Sequence, residues 1–120
     1  GIPARAYDLG CSLGATTLAL LRQLADDDCQ VVAVDNSPSM IERARTNIQD
    51  ARVRFVCADI RAMEFAPAGV IIMNYVLQFL PPDDRTALLR RLREALARQI
   101  DELAREVRSL RRQLRDSPES

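Results

Sequence analysis

The spacing of apolar and polar positions switches period along this chain, and each switch marks an element. Ala4 to Leu9 reads as a short strand running into Gly10-Cys11-Ser12-Leu13-Gly14. Ala15 to Ala25 then has helical spacing, with Leu18, Leu21 and Leu24 on one face, and the acidic turn Asp26-Asp27-Asp28 stops it. Gln30 to Val34 is β-branched and continuously apolar, as in a strand buried on both faces. Ser37-Pro38 is a helix start, Ser as N-cap and Pro pre-set for the first turn. Met40, Ile41, Ala44 and Ile48 form the stripe of the helix that follows. Val53 to Cys57 is a third strand, and Gly69 to Asn74 a fourth, reached through a poorly patterned segment at 62–66. Pro81-Pro82-Asp83-Asp84 opens another helix, with acids in the first turn where the helix dipole favours them.

Strands alternating with helices mean parallel βαβ units, and right-handed crossovers give the strand order 3-2-1-4. The fold class expected is α/β, a partial doubly wound Rossmann-like sheet with a long C-terminal helix. After Asp84 the strand signals stop. Arg85 to Arg115 holds neither Gly nor Pro, and its apolar residues fall on a heptad. With Ile100, Val107 and Leu114 at a, the d positions are Leu89, Leu96, Leu103 and Leu110. β-branched a with Leu at d favours a two-stranded parallel coiled coil, although the heptad register alone does not decide between parallel and antiparallel pairing. Arg93 interrupts the a row at its start, so the clean seam runs from Leu96 to Leu114. The organisation expected is a half-domain over 1–82, an oligomerisation helix over 83–116 and a disordered tail over 117–120.

Composition narrows the function classes. Net charge is zero, so no global field draws in nucleic acid or membrane, although residues 1–84 carry seven Arg against eleven acids and residues 85–120 ten Arg against six. The Arg surplus of the tail is expected on the solvated b, c and f positions of a coiled coil rather than on RNA. The absence of His removes the commonest general base and metal ligand. Three cysteines, Cys11, Cys29 and Cys57, form no short-spaced pair, which argues against a disulfide framework or a zinc site. No apolar run approaches the roughly 18 residues of a membrane span. The expectation is a cytoplasmic, metal-free protein that dimerises through its helix, with no membrane and no direct nucleic-acid contact.

The chemistry gathers at strand ends. Asp8-Leu9-Gly10-Cys11-Ser12-Leu13-Gly14 sits where the first strand meets the first helix, the crevice in which open α/β sheets bind ligands. The glycine spacing is GxxxG rather than the GxGxxG that presses a dinucleotide pyrophosphate on a helix N-terminus. Asp8 would repel a pyrophosphate and suits a cationic ligand bearing an amino group, which S-adenosylmethionine is. Asp35 ends the second strand, where an acid accepts hydrogen bonds from ribose hydroxyls. Asp59 follows the third, with Ile60 beside it: the carboxylate can accept from an adenine amino group while a backbone N–H donates to the ring. Singly, each of these acids reads as a loop cap; three at successive strand ends read as a site.

Tyr-Asp-Leu-Gly-Cys-Ser-Leu-Gly (7–14), Val-Asp-Asn-Ser-Pro-Ser-Met-Ile-Glu-Arg (34–43), Ala-Asp-Ile-Arg (58–61) and Asn-Tyr-Val-Leu-Gln-Phe-Leu (74–80) closely resemble the carboxy-S-adenosylmethionine synthases. The resemblance runs from residue 5 to about 96. It implies the class I methyltransferase fold and conversion of S-adenosylmethionine and prephenate to carboxy-S-adenosylmethionine and phenylpyruvate, the source of a carboxymethyl group for a tRNA wobble uridine. By position it implies that Gly10, Cys11 and Ser12 line the methionine and ribose side. Asp35, with Asn36 next to it, holds the ribose hydroxyls. Asp59 and Ile60 frame the adenine, and Asn74 faces the amino-acid end and the sulfonium, unless it only caps its strand. No catalytic residue is assigned.

The family has a segment before the first strand and further strands after the fourth helix, including an arginine that pairs with the ligand carboxylate. The heptad helix stands in their place here. The expectation is therefore a shortened, fused or engineered form of the family unit, which binds S-adenosylmethionine or carboxy-S-adenosylmethionine with little or no turnover. The alternative is a non-catalytic module for ligand binding and self-assembly.

Overall fold

A computed structural model describes residues 5–24, 28–74 and 76–117. Four parallel strands, β1 (Arg5–Leu9), β2 (Gln30–Asp35), β3 (Val53–Cys57) and β4 (Val70–Met73), form one sheet of order β3-β2-β1-β4. The expected order is the observed one. Helices α1 (Ala15–Gln23) and α2 (Pro38–Asn47) follow β1 and β2, and a single 34-residue helix, α3 (Pro82–Arg115), follows β4. The side-chain period of two divides the two central strands between two cores. Ala6, Val31 and Ala33 pack with Leu21, Ile41, Ala44 and Ile48 on the α1–α2 side. Tyr7, Leu9, Val32 and Val34 pack with Leu88, Leu92 and Ala95 of α3 on the other. β1 and β2 are buried on both faces because helices cover both, which is why their sequences show almost no polar alternation.

Residue-level expectations shift at several points. α1 ends at Gln23, where Leu24 turns extended (φ −89°, ψ 99°). Ala4, Ala25, Asp26 and Asp27, which the sequence put in the first strand, α1 and its stop, lie outside the described residues. Leu18 is exposed, and Thr17, fully buried, shares the inner face with Leu21 instead. The α2 stripe is as expected at Ile41, Ala44 and Ile48, and the Ser37 hydroxyl accepts from the Met40 amide at 3.4 Å. The unpatterned stretch before β4 has a structural role. Phe65 is buried with its ring edge-on to Tyr7 at 5.2 Å, and the Tyr7 hydroxyl accepts from the Ala66 amide at 2.9 Å.

The larger correction concerns α3. Residue 82 does not separate a domain from a helix, because Leu88, Leu92, Ala95 and Gln99 bury the first half of α3 against the sheet. Arg98 donates to the Phe65 carbonyl, and Arg91 lies over the Phe65 ring at 5.3 Å. Beyond Gln99 no residue of the helix is buried, and the molecule is 58 Å long with a radius of gyration of 17.1 Å. A compact domain of this length would have about 14 Å. Of the tail expected to be disordered, residues 118–120 lie outside the described residues.

The two faces of α3 can be separated experimentally. Leu88 is 1% exposed and Leu89 44%. Leu88→Ala should destabilise the fold by about 2–5 kcal/mol, the cost of a core cavity. Leu89→Ala should cost under about 1 kcal/mol. Urea titrations of the two variants check this; equal losses would mean that α3 is held by its heptad row instead.

Candidate functional site

The turn between β1 and α1 can form only with glycine at two of its positions. Gly10 has φ +80°, and a Cβ there would stand 2.7 Å from Val76 Cγ2 and 3.1 Å from the Asn74 carbonyl. Gly14 has φ +95°, and its Cβ would stand 2.7 Å from Ile48 Cδ1. The loop is pinned to β2, since the Gly10 and Cys11 amides both donate to the Val34 carbonyl at 2.8 and 2.9 Å. Asp35 adds a second tie. Its Oδ2 accepts from the Ser12 amide at 2.9 Å and its Oδ1 from the Ser37 amide at 3.0 Å.

A cleft of about 900 Å³ opens at the C-terminal ends of the strands. Gly10, Cys11, Ser12, Asp35, Asn36, Asp59, Ile60 and Asn74 all line it. The structure thus brings together eight of the nine residues singled out in the sequence. Asn74 does not merely cap its own strand, because its Nδ2 donates to Thr16 Oγ1 at 2.9 Å and so braces β4 against the first turn of α1.

Asp8 is the exception. It shares the inner face of β1 with Ala6, is fully buried beneath the loop, and does not line the cleft. Its Oδ2 accepts from Thr17 Oγ1 at 2.6 Å, while its Oδ1 has no partner among the described residues. Direct contact between Asp8 and a cationic ligand is replaced by support of α1 from below. Burial pushes its carboxyl above the ordinary 3.8, against the Thr17 hydrogen bond.

The other groups are tuned by their neighbours. Burial, then the charges of Asp8 and Asp35, push the Cys11 thiol up to about 12, so it stays protonated and is no nucleophile. Asp59 is held below the usual carboxylate range by Arg61. The Arg61 amide and Nε reach Oδ1 at 2.9 and 3.1 Å, and Nε and Nη2 reach Oδ2 at 3.1 and 2.7 Å. Arg61 also reaches Asp84 in the first turn of α3 at 3.3 Å. Three N–H groups of Arg61 thus engage both Asp59 oxygens, the Nε shared between them, and an adenine amino group would have to share the carboxylate with this fork. Sequence reasoning assigned no role to Arg61 or to Val76, Phe79 and Leu80, which form an apolar wall of the cleft. They lie within the two motifs quoted at 58–61 and 74–80, and a cation two residues from a candidate acid was the available signal. Among the described residues no group of three or more His, Cys, Asp or Glu converges as a metal site, and no helix is long and apolar enough to cross a membrane.

Residues 6–99 match the model of a family described as "Methyltransferase domain". The chain belongs to that family. The match ends at Gln99, where α3 leaves the sheet. As a methyltransferase-domain chain it is 47% identical over 94 residues to a carboxy-S-adenosyl-L-methionine synthase of Shewanella oneidensis, covering 75% of this chain and 39% of that relative. A synthase of the same name from Geobacter sp. is 45% identical over 95 residues, covering 75% and 39%. The chain thus spans about two fifths of the length of these curated relatives. Among solved structures, an S-adenosylmethionine-dependent methyltransferase of Mesorhizobium loti superposes with a TM-score of 0.68 at 23% identity, over 78% of this chain and 42% of that one. At that identity the likeness establishes the fold, a Rossmann-like methyltransferase sheet.

The pH behaviour of Asp8 is testable. Because folding raises its pKa, the stability associated with Asp8 is fully present below about 3.8 and is lost as the pH rises through the folded value. Asp8→Asn keeps an acceptor for Thr17 without a charge to bury. It should be more stable than the parent at neutral pH, and the difference should shrink as the pH falls toward 3.8 in urea titrations. A parent as stable as the variant at neutral pH would show that its buried carboxylate has a compensating partner.

Proposed function

We propose that this chain binds S-adenosylmethionine, or its carboxylated relative, as the cofactor part of a carboxy-S-adenosylmethionine synthase unit. One observation carries the reading. Asp35 and Asp59, at the ends of adjacent parallel strands, open on one cleft with the glycine loop and Asn74. Its volume of about 900 Å³ lies within the range of small-molecule sites, roughly 300–1,000 Å³. In this reading Asp35 takes the ribose hydroxyls on lone pairs the Ser12 and Ser37 amides leave open. Asp59 and Ile60 take the adenine edge, and Asn74 with the loop takes the methionine end. The bound ligand would supply an electrophilic sulfonium; the chain's own residues bind and orient it. Cytoplasmic residence belongs to the same reading, supported by three cysteines free of disulfides.

Calorimetry with S-adenosylmethionine, S-adenosylhomocysteine and NAD side by side tests this. The first two should bind and NAD should not, because the glycine spacing does not suit a pyrophosphate. Asp35→Ala should cost on the order of 1–3 kcal/mol in affinity. Preferential NAD binding would overturn the assignment, and unchanged affinity in the variant would remove Asp35 from the site.

Binding without turnover is the second part of the proposal. Prephenate is a dianion, and among the described residues lining the cleft the single cation is Arg61, engaged with Asp59 and Asp84. With Asp35 and Asp59 in the same wall, a second anionic reactant lacks a counter-charge to position it. This chain alone should make little or no carboxy-S-adenosylmethionine from prephenate, as read by mass spectrometry. Product at the rate of a full-length relative would show that the cleft suffices, and would extend the proposal to the synthesis that serves tRNA wobble-uridine modification in the family it resembles.

A further inference from the structure

We infer that the outer row of α3 is the interface for a second copy of this chain, paired parallel and in register. Leu96, Ile100, Leu103, Val107, Leu110 and Leu114 follow one another at steps of four and three. All but the half-buried Leu96 are exposed, from 46% at Leu103 to 69% at Leu114. A continuous apolar stripe of this length on one helix is the pattern of a surface meant to be covered. At 3.6 residues per turn it lies about a quarter turn around α3 from Leu88, Leu92, Ala95 and Gln99, the row that grips the sheet. A partner helix therefore does not compete with the chain's own core.

Charge selects the occupant and its direction. With Ile100 and Val107 at a, Glu106 falls at g and Arg111 at e. In a parallel in-register pair, each g residue faces the e residue five positions on in the other helix. Two-fold symmetry then brings Glu106 against Arg111 of the second copy twice. In the antiparallel register that stacks Ile100 on Leu110 and Leu103 on Val107, Glu106 instead meets Glu106 of the other copy. Sliding that register by one heptad toward the N-terminus brings Arg90 against Arg111. Sliding it the other way shortens the apolar overlap and leaves Glu106 and Arg111 without an opposite charge. β-branched residues at two of the three a positions, with Leu at d, specify two strands. The quarter-turn offset also fits this symmetry: about a two-fold axis along the seam, the two sheets fall on opposite sides of the helix pair.

Sedimentation equilibrium of the full 120-residue chain at micromolar concentration should give a dimer. Glu106→Arg sets two Arg pairs against each other and should weaken it on the order of tenfold. Glu106→Arg with Arg111→Glu recreates the pairs with reversed sign and should restore the parent value. The antiparallel register leaves Arg facing Arg in that double variant, so absence of rescue would overturn the parallel arrangement. Leu103→Asp with Leu110→Asp should give a monomer with the helical circular dichroism of the parent. These substitutions lie beyond the last residue packed on the sheet, and if they nonetheless impaired folding, the charge-reversal pair would decide alone. A monomeric parent would overturn the inference.

Discussion

Two backbone amides from different elements meet on one carboxylate, and the working end of the molecule depends on that junction. Asp35 receives Ser12 from the glycine loop on one oxygen and Ser37 from the start of α2 on the other. Without it, the loop after β1 and the first turn of α2 would lose the carboxylate that ties them to each other. The bond is charge-assisted and stands where the parallel ladder has run out. It continues the β1–β2 pairing for one more step, into a region where no strand remains to enforce it. Gly10 and Gly14 make the loop able to reach that carboxylate; Asp35 makes it stay.

The same economy holds on the other face of the sheet. A four-stranded parallel sheet has two apolar faces, and a short chain must cover both. α1 and α2 cover one. The first half of α3 covers the other, assisted by the segment around Phe65. Arg61 links this cover to the cleft, because it bonds Asp59 at the end of β3 and Asp84 at the start of α3. The position of α3 on the sheet and the availability of Asp59 are therefore coupled through one guanidinium.

What could be read in advance followed from strong local rules. Continuous apolar runs identified β2, Ser37-Pro38 fixed the start of α2, and the parallel crossovers fixed the strand order. That eight of the named residues line one cleft was legible because an α/β sheet delivers the C-terminal ends of its strands to one place. Asp8 was misread as a cleft residue because its motif position outweighed its parity: it shares a face of β1 with Ala6, and that face lies under α1. Leu88 and Leu92 were missed because α3 carries two apolar rows about a quarter turn apart. A heptad reading follows one such row and passes over the other. Arg61 escaped notice because its importance lies in a bond to Asp84, 23 residues away.

The protonation of Cys11 has a practical consequence. Thiolates rather than thiols react with alkylating agents and oxidants. With its pKa pushed up to about 12, Cys11 is ionised to only about one part in 10⁵ at neutral pH. Cys29 is buried as well, whereas Cys57 stands exposed at the end of β3. The sulfur in the glycine loop is chemically quiet, and the sulfur two residues before Asp59 is open to reagents. A probe attached at Cys57 would sit beside the Asp59 end of the cleft and leave the glycine loop untouched, so the chain carries its own address for a reporter.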